Sequence, residues 1–255
     1  KFEEGVKGLL VPSVIFEELG LRYYGPIDGH DIPLLIRTFE FLKTQEEPVL
    51  LHILTKKGKG YEPAIKQPDK FHGLGKYKIE SGETAPTATP TYSEIIGKTL
   101  AKFADTNQKL VAITAAMPSG TGLSHFAKAH PTRYFDVGIA EEHAALFACG
   151  LATQGLTPFL TIYSTFFQRA YDMAIHDMAI QKLNVRLCMD RAGLSGDDGP
   201  THHGLFDIGY LRHIPNWVHM QPKDEDEFAD MLWTMAHYNS GPIAVRYPRG
   251  PGTGA

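Results

Sequence analysis

Chemistry in this chain is concentrated in four short runs. The first is Asp136-Val137-Gly138-Ile139-Ala140-Glu141-Glu142-His143-Ala144-Ala145-Leu146-Phe147, where a strand ends, a turn follows and an acid opens an apolar helix. Acids at a helix start favour the positive end of the helix dipole whatever else they do. Ile139 and the apolar helix predict partial burial of Glu141, and burial disfavours the ionised form, leaving a carboxyl able to hold and deliver a proton. The second run, Tyr163-Ser164-Thr165-Phe166-Phe167-Gln168-Arg169-Ala170-Tyr171-Asp172, reads as an aromatic patch with an Arg–Asp pair. The third is Asp190-Arg191-Ala192-Gly193 with Gly196-Asp197-Asp198-Gly199-Pro200-Thr201-His202-His203-Gly204. Such a Gly-rich loop carrying His, Asp and Arg is a poor core former and a good ligand loop. The fourth, Arg246-Tyr247-Pro248-Arg249-Gly250, brings further arginines to the same edge. Two arginines from neighbouring strand ends can fork onto a phosphate, whereas either alone is more often a surface ion-pair partner.

The elements that must position these runs alternate. Short apolar runs predict strands at 110–114, 134–137, 158–163, 185–190, 217–221 and 243–247, and helical periodicity predicts helices at 141–154, 166–181 and 224–237. That pattern implies an α/β fold with a mostly parallel, doubly wound sheet covered on both faces, and ligands bind such sheets beyond the C-terminal strand ends. Thr91-Tyr92-Ser93-Glu94 reads as a capping box opening a helix with Ile95, Ile96, Leu100 and Phe103 inward. Residues 80–90, ESGETAPTATP, have nothing to pack and are expected to be a linker. The preceding segment, 1–79, is expected to hold an extended stretch at 21–24 broken by a turn at Gly25-Pro26. A helix at 32–43 follows, capped by Asp28-Gly29-His30-Asp31 and turning Leu35, Phe39 and Leu42 inward, then a buried strand at 49–54. One strand–helix–strand unit is too small to be a complete doubly wound domain, so 1–79 reads as a partial α/β segment and 91–255 as the main domain.

Several function classes are disfavoured. The 255 residues carry 25 basic and 29 acidic side chains, a net charge of -4, which gives no reason to expect nucleic acid or an acidic membrane surface as the main partner. No apolar stretch approaches the ~20 residues of a membrane helix, and the start KFEEG has neither Met nor a signal-peptide core, so the chain is expected to be a piece of something longer. Cys149 and Cys188 cannot form a disulfide framework and read as buried, reduced thiols of a cytoplasmic protein. Gly120 and Gly122 begin a dinucleotide fingerprint, but His125 stands at the third glycine position and Pro118 interrupts the approach, so a flexible loop is expected. Lys56-Lys57-Gly58-Lys59-Gly60 lacks the Gly-Lys-Ser/Thr of a P-loop and reads as a solvated basic turn. No zinc motif occurs, and the adjacent His202 and His203 need not converge on a metal.

Together the runs FDVGIAEEHAALFACGLATQG, IYSTFFQRAYD, DRAGLSGDDGPTHHGLFD and AVRYPRG resemble the 1-deoxy-D-xylulose-5-phosphate synthases, thiamine-diphosphate enzymes of the transketolase-like group. FEELGLRYYGPIDGHD and TKKGKGYEPA resemble the same family in the same order. The resemblance implies that 1–79 is the end of a diphosphate-binding domain and 91–255 a pyrimidine-binding domain, with a third domain absent. It implies condensation of pyruvate with D-glyceraldehyde 3-phosphate, with loss of CO2, through a thiamine-diphosphate ylide and enamine, in a cytoplasmic homodimer whose product feeds isoprenoid, thiamine and pyridoxal biosynthesis. By motif, Glu141 would meet N1′ of the cofactor's aminopyrimidine, Phe166 would stack on that ring and Tyr61 would contact the cofactor. His72 would be the substrate-side histidine. Tyr163, Arg191 and Arg249 would receive the acceptor, both arginines on its phosphate, and Asp198 and His202 would lie near the reacting carbons, with Asp197 an alternative to Asp198. The family's Mg2+ motif, Gly-Asp-Gly with a later Asn, has no equivalent here, so no metal ligand is assigned and the fragment alone is expected to be inactive. The competing readings are another thiamine-diphosphate enzyme, such as a transketolase or a ketoacid dehydrogenase half, and a noncatalytic assembly module.

Overall fold

The structure, a computed structural model, describes residues 14–84 and 89–254, apart from the side chain of Asp197. It divides into two compact units, residues 1–72 and 73–255. In the first, α1 (Val14–Glu18), β1 (Arg22–Asp28), α2 (Ile32–Leu42), β2 (Val49–Leu54) and α3 (Glu62–Lys66) follow in order, and β1 pairs with β2 in parallel. Strand β1 continues through Gly25-Pro26 where a terminating turn was expected. The register shifts between Tyr24 and Ile27, which accommodates a proline with no N–H to give the ladder. Asp31 caps α2 by accepting from the Leu34 N–H at 2.9 Å. Two expectations of burial fail here. Phe39 is 48% exposed, and β2 holds no buried residue, its first three being half-buried and His52 and Leu54 exposed. A two-stranded sheet has too little area to enclose a core, and Ala64 is the only buried residue of this unit among those described.

In the second unit six parallel strands lie in the order β4-β3-β5-β6-β8-β7, as the alternation implied. They are β3 (Leu110–Thr114), β4 (Tyr134–Asp136), β5 (Thr157–Tyr163), β6 (Arg186–Asp190), β7 (Val218–Met220) and β8 (Ile243–Arg246). The helices are α4 (Tyr92–Thr106), α5 (Ser124–Ala129), α6 (Glu141–Thr153), α7 (Ser164–Phe167), α8 (Tyr171–Met173), α9 (Asp207–Leu211) and α10 (Glu225–His237). Thr91 caps α4 by accepting from the Glu94 N–H at 3.1 Å, and Asp224 caps α10 by accepting from the Glu227 N–H at 2.9 Å.

Alternation along the strands sends Leu160, Ile162 and Leu187 into one core with α6, and Phe159 and Cys188 into the other with α4 and α10. Ala144, Ala145 and Ala148 are fully buried, so α6 lies close on the sheet. The helix expected at 166–181 begins at Ser164 and changes character. After α7 come a 3₁₀ turn at Gln168–Ala170, α8, and a π-helical turn at Ala174–Ala179. Phe167, Ala170, Ala174 and Met178 stay buried throughout, so the periodicity foretold the inward stripe and not its hydrogen-bond pattern.

Residues 89–92 and 250–254 of this unit run side by side. Gly252 donates to the Pro90 carbonyl at 3.0 Å, Tyr92 N–H to the Gly250 carbonyl at 3.2 Å, and the Glu225 carboxylate accepts from the backbone of Thr253 at 2.8 Å and Gly254 at 2.5 Å. Part of the expected linker, 85–88, lies outside the described residues.

Candidate functional site

The first run is built from the end of β4. One Asp136 carboxylate oxygen accepts from the backbone N–H of Ala116 at 2.8 Å and of Gly138 at 3.0 Å, and Gly138 turns at φ +77. The chain then enters α6 with Glu141 as its first residue. Glu141 is 3% exposed while Glu142 lies at the surface, so of the two acids Glu141 faces inward. Of the two expected reasons for that burial, the apolar helix holds and Ile139 does not: Ile139 is 83% exposed, while α6 packs on β5 and against residues 168–170. There Arg169 Nη1 meets Glu141 Oε1 at 3.2 Å, so Arg169 pairs with this acid and not with Asp172 as its sequence position had implied.

From Arg169 a continuous path runs across the strand ends. Its guanidinium lies 5.6 Å from the Phe166 ring centroid, and Phe166 stacks on Tyr163 at 5.5 Å with an interplanar angle of 18°. The His202 ring meets Phe166 edge-on at 5.2 Å. On the far side the Arg191 guanidinium sits 3.9 Å from the Tyr163 centroid. Arg191 Nε and Arg249 Nε each lie 3.4 Å from Asp198 Oδ2. Glu141, Phe166, Tyr163, His202, Arg191, Asp198 and Arg249 are thus brought together within one unit, linked by Arg169.

The loops that carry them are tied down. Gly193 and Gly204 exchange backbone hydrogen bonds at 2.8 and 2.9 Å, closing the base of the third run. Ser195 N–H donates to His203 Nδ1 at 3.0 Å and the Ser195 hydroxyl to the His202 carbonyl at 2.5 Å. The adjacent histidines therefore do different work, His203 holding the loop while His202 meets the aromatic pair. The loop expected to be flexible, around Gly120 and Gly122, is packed instead, with Thr121, Gly122 and Leu123 buried. A Cβ on Gly122 would come within 1.6 Å of the Ser93 carbonyl oxygen.

Burial pushes the Tyr163 hydroxyl up to about 12, the nearby acids and arginines acting in opposite directions on it. Burial also raises Asp190, against the pull of Arg191. For Arg191 burial acts downward but Asp190, Tyr163 and Asp198 outweigh it, so the guanidinium stays charged. Its Nη1 donates to Asp190 and to the Gly120 carbonyl, its Nε to Asp198, and its Nη2 makes no bond among the described residues. Arg249 likewise donates through Nη1 to the Ser195 carbonyl at 3.3 Å and keeps Nη2 clear of partners among the described residues. Two guanidinium edges facing one carboxylate make a seat for an anion that competes with Asp198.

Tyr61 and His72 belong to the first unit. Tyr61 precedes α3 and meets Phe71 edge-on at 5.5 Å, and His72 Nδ1 lies 2.8 Å from Lys57 Nζ. The basic turn is solvated as expected, with Lys56, Lys57 and Lys59 exposed, and only Gly58 is packed, where a Cβ would fall 2.8 Å from that of Ala64. Among the described residues no group of three His, Cys, Asp or Glu could hold a metal ion, and no helix is long and apolar enough to cross a membrane. The sequence did not reveal Arg169 as the partner of Glu141, and it placed Asp190 in the third run without a role. The signals were the i, i+3 spacing of Phe166 and Arg169 and a lone acid ending an apolar strand.

Residues 88–253 match the family described as transketolase, pyrimidine binding domain, and residues 1–55 match the 1-deoxy-D-xylulose-5-phosphate synthase family. The 1-deoxy-D-xylulose-5-phosphate synthase of Acidobacterium capsulatum is 64% identical over 252 residues, covering 99% of this chain and 40% of that protein. The synthase of Methylacidiphilum infernorum is 63% identical over 254 residues, again with 40% of its length covered. The chain thus spans about 40% of the length of the curated relatives it matches. A split-gene transketolase in an inactive β4 tetramer matches at TM-score 0.56 and 30% identity over 64% of this chain and 53% of that one. A Pichia stipitis transketolase in complex with sedoheptulose 7-phosphate shares the fold, at TM-score 0.58 and 16% identity over 67% of this chain and 27% of that one.

Proposed function

The chain belongs to the transketolase pyrimidine-binding-domain family, and on that premise we propose that the intact protein condenses pyruvate with D-glyceraldehyde 3-phosphate, releasing CO2, to give 1-deoxy-D-xylulose 5-phosphate. The observation that carries this reading is the unbroken path from a buried acid, through an aromatic pair, to two arginines. It matches the needs of a ring cofactor at one end and a phosphorylated acceptor at the other.

The residues present fit the aminopyrimidine of thiamine diphosphate. Glu141 is a buried carboxylate with Oε1 held by Arg169 and Oε2 unbonded among the described residues, beside the half-buried ring of Phe166. Bound there, the cofactor would supply an acidic thiazolium carbon that, once deprotonated, attacks the keto carbon of pyruvate. Glu141 mediates proton transfer at the ring nitrogen, and Arg169 fixes the orientation of its carboxyl group. Phe166 supplies the apolar face, and Tyr61 is assigned to the cofactor. Tyr163 and the Nη2 edges of Arg191 and Arg249 receive the acceptor and its phosphate. Asp198 yields its hold on the arginines as the phosphate arrives. His202 stands where a donor to a developing alkoxide is needed, and His72 is assigned to the substrate side. Mg2+ accompanies the diphosphate in this reading, and the working form is a cytoplasmic homodimer of the longer protein.

Glu141→Gln in the intact enzyme tests the proposal. It keeps the shape and removes the transferable proton, so exchange of the cofactor's C2 proton should fall by roughly a hundredfold or more, the scale of a lost general acid–base group, with unchanged circular dichroism. Exchange at the parent rate would overturn the assignment.

A further inference from the structure

Asp190 ends β6 with no exposed surface, and an acid kept from water needs its oxygens bonded. Its Oδ1 accepts from the Arg191 backbone N–H at 2.7 Å and from Arg191 Nη1 at 2.9 Å, and its Oδ2 accepts from the Ser93 hydroxyl at 2.7 Å. Ser93 is itself firmly seated. It lies in the first turn of α4, its carbonyl is pressed against Gly122, and Gly97 one turn later has no room for a Cβ, which would fall 2.0 Å from the Gly122 carbonyl oxygen. Arg191 stands at φ +58, a backbone state that a long L side chain seldom adopts, and the bond from its N–H to Asp190 helps to hold it there.

The placement of that guanidinium is a contest between two acids. Asp198 takes Nε at a long 3.4 Å, whereas Asp190 and the Gly120 carbonyl take Nη1 at 2.9 and 2.6 Å. A guanidinium released from Asp190 would be free to turn both its nitrogens onto Asp198, and a bidentate pair of that kind would close the anion seat from within. We propose that Asp190, seated by Ser93, is a positioning residue that withholds Arg191 from Asp198 and so keeps its Nη2 edge available to the acceptor's phosphate. The inference rests on the proposed function, in which Arg191 meets that phosphate.

The test is a comparison of acceptors in the intact holoenzyme. Ser93→Ala should raise the KM for D-glyceraldehyde 3-phosphate roughly threefold to tenfold, the scale of one hydrogen bond. It should leave kcat, the KM for pyruvate and the KM for unphosphorylated D-glyceraldehyde at parent values, and Ser93→Thr should restore the phosphorylated acceptor. Asp190→Asn should act in the same direction and more strongly. In an Arg191→Ala background Ser93→Ala should add nothing further. A uniform loss with every substrate, no change at all, or an equal effect in the Arg191→Ala background would overturn the positioning role while leaving the phosphate subsite intact. If Arg191→Ala alone leaves the KM for the phosphorylated acceptor unchanged, the subsite reading fails and this inference falls with it.

Discussion

One oxygen of Asp198 serves two guanidinium groups, each at 3.4 Å, a spacing that leaves both arginines loosely held. Arg249 contributes a separate strand end to that pair and owes little else to the fold beyond its bond to the Ser195 carbonyl. Its replacement should therefore be felt by charge and not by shape. Arg249→Ala is expected to raise the KM for D-glyceraldehyde 3-phosphate by roughly tenfold to a hundredfold, as loss of a charge-assisted hydrogen bond does. Unphosphorylated D-glyceraldehyde should lose little, and steady-state kinetics with the two aldehydes compare them directly. The residues of this site were legible in sequence as types at strand ends, since a parallel sheet collects its ligands there. Their partners were not. Glu141 is buried as expected but by the segment carrying Arg169 and not by Ile139, and no local spacing links positions 28 apart in the chain.

At the scale of elements, the strands and caps of the second unit could be read to within a residue or two because short apolar runs mark buried strands and capping chemistry is local. The breaks inside 164–179 could not, because a 3₁₀ turn and a π turn leave the same buried stripe as a regular helix. Nor could the role of the paired glycines before α5, which depends on a helix packed against them. That packing makes a direct prediction. Gly122→Ala places a Cβ 1.6 Å from the Ser93 oxygen at φ +73, whereas Gly138→Ala, at φ +77, meets nothing within 4 Å. The second should cost only backbone strain, about 1–2 kcal/mol. The first should cost that and a displaced α4 besides, well above 2 kcal/mol. Urea unfolding of the two variants measures the gap, and equal losses would show that α4 is not held by this contact.

Across the whole molecule, burial sets a pH window. Cys149 and Tyr163 are both pushed up to about 12, from ordinary values of 9.0 and 10.0. A group harder to deprotonate when folded contributes stability that is complete below its unfolded value and is lost as the pH climbs through the folded one. The contributions of Cys149 and Tyr163 should therefore fade from about pH 9 toward 12. On the acid side burial lowers His219 below its ordinary 6.5, so protonation favours the unfolded chain and stability falls as the pH drops below that value. Urea midpoints across this range should form a plateau with two shoulders, and His219→Gln should flatten the acid one. An unaltered acid shoulder in that variant would assign the titration elsewhere.

The first unit teaches the complementary lesson. Its strand and helix were legible, yet its expected core was not, because a pair of strands with Ala64 alone buried among the described residues offers no interior for the apolar residues to occupy.

The seam at residues 89–92 and 250–254 has a mechanical corollary. Because these two stretches share one hem, fastened by Glu225, a pull applied at residues 89 and 254 unzips that hem before it loads any strand of the six. The same geometry sets Thr89 beside Gly252 and Gly254, so a stretch cut at 89 and 254 would offer a host polypeptide two adjacent attachment points.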